Sequence, residues 1–136
     1  MRAGFLALAL VFPAHAEDWV ELPTTTSWYR FAYDRDSIVR QGTTVRFWDR
    51  TVYLRSVEAD AVSGLPIAEK RVRRIARCDE SGAGILEGRV YGTDGRLLES
   101  ITNREWTVDL VPVNSQSLAA TLIRAVCAEP VGKQPR

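Results

Sequence analysis

The chain has 136 residues, with 18 Lys+Arg against 17 Asp+Glu, a single histidine and two cysteines. A nearly neutral chain of this length suits one domain and lacks the diffuse cationic field of a non-specific nucleic-acid binder. The only histidine is His15, so beyond it Ser-His-Asp and Cys-His catalysis, histidine bases and histidine-containing zinc sites are all excluded.

Residues 1–16, MRAGFLALALVFPAHA, combine a cation at Arg2, an apolar run from Phe5 to Phe12 and the small-x-small triplet Ala14-His15-Ala16. That is the pattern of a secretory signal peptide cleaved after Ala16. A buried N-terminal helix is the alternative, and Pro13 with the abrupt change to Glu17-Asp18 argues against it. The run is too short for a permanent membrane span, and no other segment approaches one. No cysteine sits at the cleavage site, so no lipid anchor is expected and the product is expected to be periplasmic or secreted. Cleavage removes Arg2 and leaves 17 basic against 17 acidic residues.

Trp19 to Leu22 reads as a short strand, with Pro23 and the Thr24-Thr25-Thr26-Ser27 run as a break. Tyr29, Phe31 and Tyr33 alternate and therefore share one side of a strand. Asp34-Arg35-Asp36-Ser37 and Gln41-Gly42 read as turns. From Thr43 to Arg55 a long strand is expected. Val45 and Phe47 alternate on one parity and Val52 and Leu54 on the other, so a bulge is expected near Asp49 to Thr51. Trp48 shares its parity with Arg46 and Arg50, whose guanidinium groups could stack on it.

Val57 to Pro66 is loop-like, and Ala68 to Cys78 is a second long strand. Val72, Ala76 and Cys78 fall on one side of it and Arg71, Arg73 and Arg77 on the other, with Arg74 and Ile75 out of phase. Ile85 to Thr93, a turn at Asp94-Gly95, and Arg96 to Ile101 form a hairpin. Trp106, Val108 and Leu110 give another two-residue period before Pro112. Asn114 or Ser115 is placed to cap a final helix in which Leu118, Leu122, Ala125 and Val126 form the buried stripe, with Ile123 at its edge. The expected fold is α+β: an antiparallel sheet of about six strands with one C-terminal helix packed on one face. It forms a single domain over 17–129, followed by a disordered tail over 130–136.

Cys78 ends a strand and Cys127 lies in the last helical turn. In an exported chain the pair reads most simply as one disulfide joining the two layers, with two free buried thiols as the alternative. A closed loop of this length is worth about 4 kcal/mol in chain entropy. Asp34-x-Asp36 lacks the further oxygen ligands of a calcium loop and reads as an Asx turn. Ser115 and Ser117 have no base beside them and suit helix capping. No catalytic, metal or cofactor-binding residues are assigned. The least unsuitable acid-base candidates for a small carboxylate-dependent enzyme are Asp34, Asp36 and Tyr33.

Lys70, Arg71, Arg73 and Arg77 are the candidate binding residues. As a patch they would recognise a polyanion, an acidic protein segment or lipid headgroups; as plain structure they are the solvated side of a strand whose charges also discourage edge pairing.

The order Trp19, then Tyr33-Asp34-Arg35-Asp36-Ser37-Ile38-Val39-Arg40-Gln41-Gly42 leading into Val45-Arg46-Phe47-Trp48, then Cys78, Tyr91, Trp106 with Pro112 and Ser115, and Cys127 resembles the surface-adhesin protein E family. The resemblance covers Trp19 to Cys127. It implies a small exported bacterial domain, an antiparallel sheet with a packed helix, and a non-enzymatic role in binding a protein of the cell envelope or host matrix. The family's named member is a surface lipoprotein that binds host matrix and plasma proteins. This chain has no lipidation cysteine, and the family's basic host-binding residues do not align with Lys70 to Arg77.

Overall fold

The computed structural model describes residues 17–55 and 58–130. The expected signal peptide, 1–16, and the tail from 131 onward lie outside the described residues. The strands are β1 Trp19–Leu22, β2 Tyr29–Asp34, β3 Val39–Gln41, β4 Thr44–Tyr53, β5 Ile67–Arg77, β6 Ala83–Gly92 and β7 Leu97–Thr102, and the helix α1 is Leu118–Ala128. All seven strands belong to one antiparallel sheet in the order β1-β2-β4-β5-β6-β7, with the short β3 paired to β4 beyond the end of β2. The α+β architecture read from the sequence is therefore the one observed.

The alternation Tyr29, Phe31, Tyr33 on β2 and Val45, Phe47 on β4 turns those side chains toward the helix. Phe31, Tyr33, Ile38, Val45, Phe47 and Ala76 form the core with Leu122, Ile123 and Val126. Ser117, rather than Asn114 or Ser115, caps the helix: its hydroxyl accepts the Ala120 N–H at 3.2 Å. Ile123 is fully buried rather than marginal. Apolar burial on the scale of about 25 cal/mol per Å² is the main term holding this 11-residue helix, which is too short to persist alone.

Three ties fix the C-terminal half of the helix. The Cys78–Cys127 disulfide is formed, with the two Cα atoms 5.9 Å apart. Arg40 donates to the Cys127 carbonyl at 2.8 Å, closing an acceptor that the helix end leaves open. Tyr33 Oη and Arg35 Nε both donate to Glu129, at 2.5 and 3.2 Å.

β4 carries no bulge at Asp49 to Thr51. Its pairing with β2 and β5 is continuous, and the parity break has another cause: Asp49 occupies a core-side position, 1% exposed, and pairs with Arg74 from β5. Burial pushes the Asp49 carboxyl up and Arg74 pulls it back. This pair also explains why Arg74 is out of phase in the sequence. The irregularity lies instead in β6, where the register against β5 shifts between Arg73 and Arg74.

Trp106, Val108 and Leu110 do not form a strand. Glu105–Thr107 is a 3₁₀ turn, Trp106 is 81% exposed, and only Val111 bridges back to the edge of β6 at Ala83. Val108 and Leu110 lie so close to β6 that a Cβ at Gly84 or Gly82 would collide with their side chains. Those glycines serve this close approach. The turn Asp94-Gly95 forms as expected, with Gly95 at φ +80°.

Replacing both cysteines by alanine is expected to lower unfolding free energy by about 4 kcal/mol, read from urea denaturation; an unchanged midpoint would show that the bond adds nothing. Asp49→Ala, which strands Arg74 beside the core, is expected to cost about 3 kcal/mol, while Asp49→Leu with Arg74→Leu recovers most of it. A loss under about 0.5 kcal/mol for the single variant would make the pair equivalent to a surface one.

Candidate functional site

The helix covers one side of the sheet. On the opposite side, strand register brings arginines from three neighbouring strands into direct opposition: Arg50 on β4 faces Arg71 on β5, and Arg71 faces Arg89 on β6. One pair further along, Trp48 faces Arg73, which faces Glu87. Like charges directly across a ladder destabilise a sheet. A row of three marks a place where the local rules of strand pairing are broken.

Stacking offsets part of the repulsion. The Arg50 guanidinium lies 4.4 Å from the Trp19 ring centroid, Arg71 lies 5.6 Å from Trp19 and 5.5 Å from Tyr91, and Arg89 lies 5.1 Å from Trp48. Each such contact is worth about 0.5–1 kcal/mol at an exposed site. The sequence placed Arg46 and Arg50 against Trp48; the fold instead gives Arg50 to Trp19, gives Arg89 to Trp48 and ties Arg46 to Glu105.

Carboxylates neutralise only some of the row. Arg71 pairs with Glu17 at 3.3 Å and with Glu69 at 3.1 Å, and Arg89 with Glu87 at 2.9 Å. Arg50 and Arg73 have no carboxylate within salt-bridge distance among the described residues. Between the rings lies a cleft of about 480 Å³, bordered by Trp19, Trp48, Arg71, Arg73 and Arg89, with Glu17, Asp34 and Asp36 at its rim.

The rim follows from the Asp34-x-Asp36-Ser37 sequence. The Asp34 carboxylate accepts the N–H groups of Asp18 and Asp36 at 2.9 and 3.0 Å, capping the 3₁₀ turn Arg35–Ser37. Ser37 Oγ donates to the Asp34 carbonyl at 2.7 Å and accepts the Trp48 N–H at 2.8 Å. The hydroxyl thus replaces a ladder partner where β2 ends, and it fixes Trp48 in place.

Of the four basic residues singled out in the sequence, Arg71 and Arg73 point into this cleft. Arg77 is exposed at the end of β5. Lys70 lies on the opposite side of the sheet, 2.9 Å from Glu58 and over the Tyr53 ring. The basic strand is therefore not one patch. Trp19, Arg50 and Arg89 complete the site from other strands, and only register reveals them. Asp34 is committed to capping, and burial together with the Glu129 hydrogen bond pushes Tyr33 up to about 12, leaving its phenol a donor at neutral pH.

Among protein-family models, that of surface-adhesin protein E matches residues 19–128, and the chain belongs to this family. A search of curated proteins found no match. Membership brings with it an adhesin-like binding role and an exported or surface location.

The Tyr33 phenol gives a pH test. Its folded value of about 12 lies above the free value of about 10, so its stabilisation is complete below the free value and is lost as pH rises through the folded one. Stability measured across that window is expected to fall less steeply in Tyr33→Phe than in the native chain. Identical slopes would show that the phenol and Glu129 are not linked to folding.

Proposed function

We propose that this protein is a non-enzymatic binding module, exported to the periplasm or secreted after cleavage behind Ala16, that engages a protein partner through the open sheet face. The observation that carries the reading is the opposed row Arg50–Arg71–Arg89 beside Trp19 and Trp48, on the side of the sheet away from the helix. Arginine and tryptophan are the side chains most often found where an interface concentrates its energy. Family membership supports the binding role. The non-enzymatic reading is supported by the lack of any imidazole after His15 and by the structural duties of Asp34 and Tyr33.

A second surface has its own support. β7 is the last strand of the sheet, and Leu97 and Ile101 on it are 49% and 48% exposed. An open edge with apolar side chains can accept an added strand.

Immobilised protein, challenged with envelope and host-matrix proteins, tests both. Trp48→Ser with Arg71→Glu is expected to reduce the captured partner about tenfold, whereas Ser100→Pro on β7 leaves capture unchanged. Loss in the β7 variant alone would move the contact to the strand edge and overturn the open-face reading.

A further inference from the structure

We propose that the cleft between Trp19 and Trp48 seats a carboxylate of an acidic peptide segment, with Arg73 as the receiving guanidinium group. The proposal rests on the open-face reading and names the chemistry that face selects.

The chain already demonstrates the recognition on itself. Glu17 lays its carboxylate at this cleft, accepting from the Trp19 indole N–H at 2.9 Å and from Arg71 at 3.3 Å. That internal acid satisfies one side of the site and leaves the other cationic. Glu87 stands opposite Arg73 in the ladder, but its salt bridge is to Arg89 at 2.9 Å. Among the described residues Arg73 therefore keeps its donor fork for an outside group, and a planar carboxylate matches such a fork with two parallel hydrogen bonds.

The surroundings limit the anion. Glu17, Asp34 and Asp36 edge the cleft, and Glu69 and Glu87 flank the arginine row. A sulfated polysaccharide, charged along its whole length, would lie across these acids. A segment bearing one or two carboxylates meets only the arginines. A cleft of about 480 Å³ has room for one or two side chains. Its indole walls favour an apolar or aromatic neighbour beside the acid. Arg71 and Arg89, which border the cleft, are held against aromatic rings, so the walls around Arg73 are ordered before binding.

The test uses the oxidised full chain labelled with nitrogen-15, observed at its four tryptophan indole N–H signals. One probe is acetyl-Gly-Tyr-Glu-Gly-amide, whose only carboxylate is the glutamate. Its partners are the same peptide with glutamine for glutamate, acetyl-Gly-Tyr-Gly-Gly with a free C-terminus, and a heparin tetrasaccharide. The glutamate peptide is expected to shift the signals of Trp19 and Trp48 and to leave the exposed Trp28 and Trp106 unmoved. The glutamine peptide is expected to bind about tenfold more weakly, as loss of a charged hydrogen-bond partner requires. Arg73→Gln weakens the glutamate peptide by about the same factor, and Glu17→Gln, which removes the internal competitor at an exposed position, strengthens it. If the peptide with the free C-terminus shifts the same two signals and the amidated glutamate peptide does not, the carboxylate is that of a chain end and the site assignment holds.

Equal binding of the glutamate and glutamine peptides overturns the proposal, and so does a shift of the same signals by heparin alone. If no peptide binds while Trp48→Ser with Arg71→Glu still abolishes partner capture, the carboxylate assignment falls and the open-face reading survives. Capture indifferent to that double variant removes the open-face reading itself.

Discussion

Among the described residues a single short helix serves a seven-stranded sheet, and it covers only one side of that sheet. The other side has to be stable in water without an apolar layer. The chain achieves this with guanidinium groups laid on indole and phenol rings, which cover the rings while keeping charge in solvent. The arrangement stiffens the arginines, and it concentrates positive charge that the neighbouring acids only partly cancel. A surface built this way is ordered before any ligand arrives.

The covered side meets the complementary demand. Its helix contributes few turns, and most of its stability comes from packing and from the clamps at its C-terminal end. The disulfide, the Arg40 contact to the Cys127 carbonyl and the Tyr33–Glu129–Arg35 cluster all converge there. Further along β4 and β5, beyond the aromatic core, Asp49 and Arg74 fill a core-side position with an ion pair instead of apolar bulk. Such a pair contributes less net stability than well-packed hydrophobic residues would, but removing either partner alone is costly.

Much of this was legible in the sequence because two-residue periods report which side of a strand is buried. Tyr29, Phe31 and Tyr33, and then Val45 and Phe47, point inward as their spacing indicates. The same logic fails at Asp49, where the change of parity between Val45, Phe47 and Val52, Leu54 reads as a bulge although the strand runs on with a charged residue turned inward. Arg74, noted as out of phase, was the available signal that a charge lay inside. Trp106, Val108 and Leu110 misled because three residues at alternate positions suit an extended but unpaired segment equally well. In the candidate site, Arg71 and Arg73 were visible as residues of one strand. Trp19, Arg50 and Arg89 were not, because opposition across strands depends on register, which no local pattern encodes.

The residues that carry the family likeness act on the scaffold. Asp34 caps the turn, and Ser37 bridges the end of β2 to the Trp48 backbone, so the run from Tyr33 to Trp48 sets one aromatic wall of the cleft. Arg50, Arg71, Arg73 and Arg89 lie outside that run and project from three different strands. A strand keeps its pairing whichever side chain it presents to solvent, so these positions can change without disturbing the motif. The shared sequence therefore explains why a cleft exists on this face. On the proposed reading, what the cleft accepts would be decided by guanidinium groups that the motif does not specify, so ligand preference could change while the fold and its signature stay the same.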